Sequence, residues 1–436
     1  MRRFRFTWWH LAWFVLFLSG LSFRSRTAAE ISESPVDAFA LYRIGCVGIV
    51  GLFLFIRLTL RKTHWLRSVS TGVVGLFALY PLLSLVSTVW SVNAPWTIYK
   101  SIEFLVDVCM LAAIVATVES VDEYRKFANW TWTLLGILIT TAWIGAVVDP
   151  SDALFSDPAM RFAGLPLRLV GVVPVVSCND LSEYSAIIAL IALCRIFLRE
   201  QEAEHETNRY WFLFGAAFVT MVVTQTRGAF LAFLVGLVVL LILTRRYVLV
   251  TVGGVTSFML AIPLLFLTNF GNRVQDFFFR GQKVDEASGM SGRLETWQMS
   301  FDKIAEHPFT GYGGFAGAKF LILSKRSVAS DTLSSHVDSL VNIGFFGWAI
   351  LMAVLIWVGY LLFKSMRDSR LSDSENYFAL EMFMAFIILL IRSFESSNLV
   401  THPLLAFLTV LGAAEVFRRR RRQVELEYSA SNPALA

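Results

Sequence analysis

Charge is what this sequence has little of. Lys, Arg, Asp and Glu make up 16% of its 436 residues, against roughly 25% in a soluble domain. Cysteine is scarce too. Cys46, Cys109 and Cys194 fall inside apolar runs and Cys178 lies near the edge of one. Their spacing suits neither zinc nor a disulfide framework, so they are read as packing residues. No cluster of His, Cys, Asp and Glu has metal-ligand spacing, and no metal is expected. No glycine-rich phosphate loop follows a strand pattern, so no nucleotide cofactor is expected and any substrate must arrive already activated. Fixed-period repeats and low-complexity tracts are absent. The net charge is only +5. It resides mostly in short basic loops, which membrane orientation explains better than nucleic-acid binding does.

What is present is apolar. Hydrophobic residues make up 56% of the chain, with 38 Phe and 13 Trp, and runs near the ~20 residues needed to span a bilayer recur throughout. The expected fold is an all-α polytopic membrane protein of twelve helices: 7–23, 36–58, 69–90, 97–118, 129–148, 181–198, 210–224, 228–244, 247–268, 336–363, 377–391 and 399–417. Residues 1–268 hold nine of them, 269–335 form one long outer loop with short amphipathic helices, 336–417 hold three, and 418–436 form a basic disordered tail. The opening MRRFRFTWWHLAWFVLFLSGLSF has the layout of a signal peptide. Arg24 and Arg26 stand just before the small-residue site at Ala28-Ala29, which favours an uncleaved first span. Basic residues occupy alternate connections, from Arg2, Arg3 and Arg5 through Arg57 to Arg67, Arg125, Arg245 and Lys364 to the run Arg418–Arg422. That side is expected to be cytoplasmic and the long loop periplasmic, in a bacterial inner membrane.

Within the loop, Leu294, Trp297, Phe301 and Ile304 recur at helical spacing, and His307-Pro308 followed by Gly311 and Gly313 is a stop signal. A short helix laying its apolar face on the membrane-embedded body is expected. Arg293 stands at its first turn, where free N–H groups and the helix dipole favour an anion. The plainer alternative is a solvated arginine on a surface helix. Arg227, in TQTRGAF, sits in a short turn between two apolar spans. An arginine so placed marks a site or pathway, or snorkels to headgroups. His336 stands where the chain re-enters the membrane; it is a proton acceptor or simply a satisfied polar residue. Lys100, Glu103 and Asp107 share one face of the fourth span and are expected to pair with Arg43. Glu183, Arg195, Glu381, Arg392 and Glu395 are further candidates for internal pairs.

Together these pieces resemble the O-antigen ligase and O-antigen polymerase family of bacterial membrane glycosyltransferases. The resemblance rests on TQTRGAF (224–230), GRLETWQMSFDKIAEHPFTGYG (292–313), and His336 followed by Leu340, Gly344 and Gly347. RFAGLPLRLVGVVPVVSCND (161–180) and WSVNAPW (90–96) are similar to its other outer segments. The resemblance implies a metal-independent, surface-polysaccharide enzyme of the cell envelope. Its donor would be a glycan on undecaprenyl diphosphate, and its acceptor a glycan or a lipid such as lipopolysaccharide core, amid membrane lipids and without nucleic acid. It implies diphosphate-binding roles for Arg227 and Arg293 and catalytic roles for Arg293 and His336. Trp297, Tyr312 and Asp338 stand as accessory candidates. The chain departs from the family in having Val337 after the histidine and in placing Gly344 about one helical turn early, which leaves Ser335 and Asp338 as alternates for the histidine's role. A flippase or transporter of lipid-linked sugars, supported by Lys100, Glu103 and Asp107, and a non-catalytic assembly scaffold remain the competing classes.

Overall fold

A computed structural model describes residues 7–23, 37–61, 65–156, 167–198, 204–246, 293–322, 332, 334–402 and 404–431. Twelve longer helices are labelled here in chain order: α1 Trp8–Ser19, α2 Ala38–Arg61, α3 Gly72–Val86, α4 Ala94–Thr117, α5 Val121–Val148, α6 Cys178–Leu198, α7 Glu204–Val223, α8 Arg227–Leu243, α9 Arg293–Glu306, α10 Ser335–Ser365, α11 Asp373–Arg392 and α12 Leu405–Ser431. One antiparallel pair of strands, β1 (Leu154–Ser156) and β2 (Leu167–Leu169), aligns Leu154 with Leu169. Each expected span falls on a helix, except 247–268, which lies outside the described residues. Six helices among those described are long and apolar enough to cross a membrane: Ala38–Leu60, Gly72–Trp90, Val121–Val148, Cys178–Leu198, Ser335–Ser365 and Asp373–Arg392. The apolar helices α1 and α8 are shorter. α2 exposes Leu41, Ile49, Leu52 and Phe55, the pattern of a helix whose solvent on one side is lipid.

The chain divides into two compact units, Met1–Leu135 with Met299–Ala436, and Gly136–Gln298. In the first unit Phe77, Phe104, Phe315 and Phe407 interlock around Tyr80, with ring centroids 5.3 to 6.4 Å apart. Trp13 Nε1 donates to Thr131 Oγ1 at 3.0 Å, and Thr409 Oγ1 donates to the same oxygen at 3.0 Å, tying α1, α5 and α12 together. In the second unit α6 packs against α7 and α8. Phe214, Phe218 and Phe233 form an aromatic ladder, and Trp143 Nε1 donates to Thr220 Oγ1 at 2.8 Å.

α10 is a broken helix. Gly344 has φ 69° and ψ −163°, a conformation open to glycine and strained for other residues. The break removes the bonds that Phe345 and Phe346 would make to the carbonyls of Val341 and Asn342. The glycine-rich segment after α9 replaces them. Tyr312 N donates to Val341 O at 3.0 Å, Gly313 N to Asn342 O at 2.9 Å, and the freed Phe345 N to Pro308 O at 2.8 Å. Asn342 Oδ1 also accepts from Ala318 N at 2.9 Å. The segment's other side is held by the turn before α4: Val92 N donates to Tyr312 O, Trp90 Nε1 to Thr310 O, Thr97 Oγ1 to Gly314 O, and Gly314 N to Ser87 Oγ. Irregular backbone is thereby satisfied group by group.

Two expectations are corrected. On α9 the apolar stripe is only partly covered: Phe301 is 53% exposed and Trp297 and Ile304 are half-buried, while Thr296 and Ser300 are 3% and 0% exposed. Small polar residues let a helix approach its neighbours closely, and the apolar stripe needs no protein cover where lipid is the solvent. The tail expected from 418 is helical through Ser431. Its arginines have partners distant in sequence or one turn away. Arg418 and Arg419 bind Glu415, which is 0% exposed and also accepts from Val73 N; Arg420 binds Glu375 and Arg421 binds Asp368. The hydrogen bonds of Arg370, then of Arg421, hold the Asp368 carboxyl far below the usual carboxylate range.

A Cβ at Gly344 would lie 2.3 Å from Phe309 C and 2.4 Å from Phe309 O. Gly344→Ala is therefore expected to destabilise by about 2 kcal/mol or more, from backbone strain and displacement of the docked segment. Thermal unfolding of detergent-purified protein checks this; an unchanged midpoint would show that the break is not held as described.

Candidate functional site

His336 is the second residue of α10, above the break. Ser334 caps the helix by accepting from Val337 N at 3.4 Å. The histidine is 8% exposed. Its Nε2 lies 3.0 Å from Ser393 Oγ, and its ring lies 4.5 Å from that of Phe394. The segment after α11 thus forms the wall behind it. The two alternates beside it are already engaged. Ser335 Oγ donates toward Ser396 O at 2.9 Å and accepts from Leu399 N at 3.1 Å. Asp338 accepts from Thr332 N at 3.2 Å, from Thr332 Oγ1 at 2.6 Å, and from Ser397 Oγ. Asp338 therefore clamps Thr332 and Ser397 to α10, and Ser335 fastens the same segment one turn away.

Tyr312 sits differently. Its backbone belongs to the docked segment, but its hydroxyl donates to Glu306 and its ring meets His307 edge-on at 4.8 Å. Burial, then the hydrogen bond to Glu306, pushes its pKa up to about 12. Hydrogen bonds from Lys303, then Tyr312, hold Glu306 below the usual carboxylate range. Tyr312 thus keeps its proton at neutral pH and closes the turn after α9.

Arg227 is the first residue of α8 and half-buried. The turn before it is closely held. Gln225 has φ 52° and donates through Nε2 to Leu167 O at 2.7 Å, while Arg168 Nε donates to Thr224 O at 3.2 Å. β2 and the turn are therefore stitched in both directions. Thr226 Oγ1 reaches Cys178 O at 3.2 Å, so the N-cap residue is fastened to the start of α6 and gives no side-chain cap to α8. Arg293 is the first residue of α9, and Trp297 stands one turn on, half-buried. Arg227, Arg293 and Trp297 lie in the second unit; Tyr312, His336 and Asp338 lie in the first.

The charges of the fourth expected span are paired, with one partner the sequence did not suggest. Glu103 binds Arg43 at 3.2 Å and also binds Lys100. Asp107 instead takes His402 Nδ1 at 2.6 Å, and His402 Nε2 meets Ser19 Oγ at 2.7 Å. His402, Ser393 and Arg168 were all missed. Each lies outside the resembling motif residues or between spans, and each partner is remote in sequence. The only signal was the density of small polar residues in SFESSN (393–398).

An all-α chain with six described helices long and apolar enough to cross a membrane is a multi-pass membrane protein. Residues 212–352 match the family model described as O-antigen ligase. The match includes Arg227, Arg293, Trp297, Tyr312, His336 and Asp338. No curated protein matches the chain. The family match points to ligase-type glycosyltransferase activity in polysaccharide biosynthesis.

The Tyr312 contact has a direct optical test. A raised pKa means that its stabilising contribution is present below the unfolded value of about 10 and is lost as pH rises through the folded value. The difference spectrum between wild type and Tyr312→Phe should show phenolate forming near pH 12. A midpoint near pH 10 would mean that Tyr312 is not held by Glu306.

Proposed function

We propose that this chain transfers an undecaprenyl-diphosphate-linked oligo- or polysaccharide to an acceptor hydroxyl on the periplasmic face of a bacterial inner membrane. The observation that carries this reading is the construction at Arg227. An arginine stands at an uncapped helix start, on a turn fixed from two sides, inside the O-antigen ligase match. The positive end of a helix dipole and a guanidinium both favour a diphosphate there. Arg293 repeats the placement at the start of α9. Negative charge grows on the diphosphate as the lipid carrier departs, so two arginines would lower the barrier most when that charge is largest. His336 would take the acceptor proton. Attack opposite the leaving group would invert the sugar carbon. No metal or nucleotide takes part in this scheme.

Transport finds less support. Of the charged side chains that suggested it, Glu103 binds Lys100 and Arg43, and Asp107 binds His402.

Arg227→Ala and Arg293→Ala are each expected to lower transfer by about 10²–10³-fold, the usual cost of losing one charge-stabilising donor. His336→Ala is expected to abolish it. The measurement is surface-glycan formation in a deletion strain complemented with each variant. Full transfer by Arg293→Ala would rule out the diphosphate assignment. In the deletion strain, glycans halted at one repeat unit would identify a polymerase. Long chains retained on the carrier would identify a ligase, and unaltered chains on the cytoplasmic face a flippase.

A further inference from the structure

Two histidines meet the segment between α11 and α12, and their hydrogen bonds set them apart. Ser393 Oγ lies 2.6 Å from the carbonyl oxygen of Leu390 and 3.0 Å from His336 Nε2. A carbonyl only accepts, so the one hydroxyl proton of Ser393 points to Leu390. Ser393 therefore meets His336 as an acceptor, and Nε2 carries the proton. In a neutral imidazole the lone pair is then on Nδ1. Among the described residues no hydrogen bond reaches Nδ1. His402 differs: Asp107 engages its Nδ1 at 2.6 Å and Ser19 its Nε2 at 2.7 Å, so neither nitrogen is offered to a substrate. The serine is itself well fixed. Its carbonyl accepts from Ser335 N at 2.9 Å, its own N donates to Leu389 O at 2.9 Å, and it is 0% exposed. Phe394, the next residue, packs on the imidazole ring.

We propose that Ser393 is a positioning residue for glycan transfer: it holds His336 as the Nε2–H tautomer and leaves Nδ1 as the proton acceptor. This rests on the reading of His336 as the base. In the step it serves, the acceptor hydroxyl gives its proton to Nδ1 as its oxygen bonds to the anomeric carbon. The bond from that carbon to the diphosphate oxygen breaks, and its electron pair leaves with the polyprenyl diphosphate. The proton then passes from the imidazolium to water. Without Ser393 the ring is free to flip or change tautomer, and fewer molecules present a basic nitrogen to the acceptor.

The test uses full-length protein in detergent, with lipid-linked glycan and acceptor extracted from the native cells. Ser393→Ala is expected to lower kcat by roughly 10–100-fold, the range seen when the group orienting a functional histidine is removed, with KM for the lipid-linked glycan unchanged. Ser393→Thr, which keeps the hydroxyl, should recover most of the loss. Ser393→Cys keeps the size but is a weak acceptor and should behave like Ser393→Ala, which covers the case in which the smaller side chain impairs folding. In ¹⁵N-histidine spectra, His336, assigned by its absence in His336→Ala, should show a pyridine-type Nδ1 in wild type and lose it in Ser393→Ala. If Ser393→Ala or Ser393→Cys turns over like wild type while His336→Ala is inactive, Ser393 has no positioning role and the base assignment stands. If His336→Ala itself retains transfer, the base assignment falls first.

Discussion

Backbone polar groups buried away from water need partners within the protein, and that constraint organises the first unit. Breaking α10 at Gly344 frees two carbonyls and an amide. The segment from Pro308 to Ala318 supplies their partners, and the turn from Ser87 to Thr97 supplies the segment's own. The glycines are explained by contact rather than flexibility. A Cβ at Gly313 would lie 2.2 Å from Ser91 Oγ, and one at Gly311 would lie 2.6 Å from the Asn342 backbone. Side chains there would push the strands of this exchange apart. The short half-helix above the break is what carries His336, so the histidine's position depends on an exchange of hydrogen bonds several residues away.

Much of this was legible in the sequence, because apolar run length and helix stop signals are local properties. α9 ends at Glu306, as His307-Pro308 requires, and the chain's spans read as helices wherever they are described. The break at Gly344 was not legible. A glycine inside an apolar run looks the same whether the helix continues or not, and only the docked segment decides. How far the apolar stripe of α9 is covered was not legible for a related reason. Helical periodicity says which residues share a face, but a membrane inverts the assumption that the apolar one is covered by protein.

At the candidate site the motif residues were found from their types and surroundings, while their supports were not. Arg227 and His336 stand out because charge and imidazole are rare in apolar sequence. Ser393, Arg168 and Gln225 do not, since serine, arginine and glutamine between spans are ordinary. Their roles come from partners such as His336, Thr224 and Leu167, which are 56 to 58 positions away. Asp338 shows the converse. It was singled out for its closeness to His336, and its oxygens turn out to hold Thr332 and Ser397.

The pairing of the last helix bears on the order in which the protein assembles. Glu415 joins the amide of Val73 to Arg418 and Arg419, and Thr409 takes part in the contact between α1 and α5. Tyr124, 0% exposed, donates to the Thr409 carbonyl at 2.8 Å. α12 is made after every helix it ties together, so it acts as a post for them rather than an appendage. Until it is made, the Val73 amide, the Thr131 hydroxyl and the Tyr124 phenol await the partners it supplies.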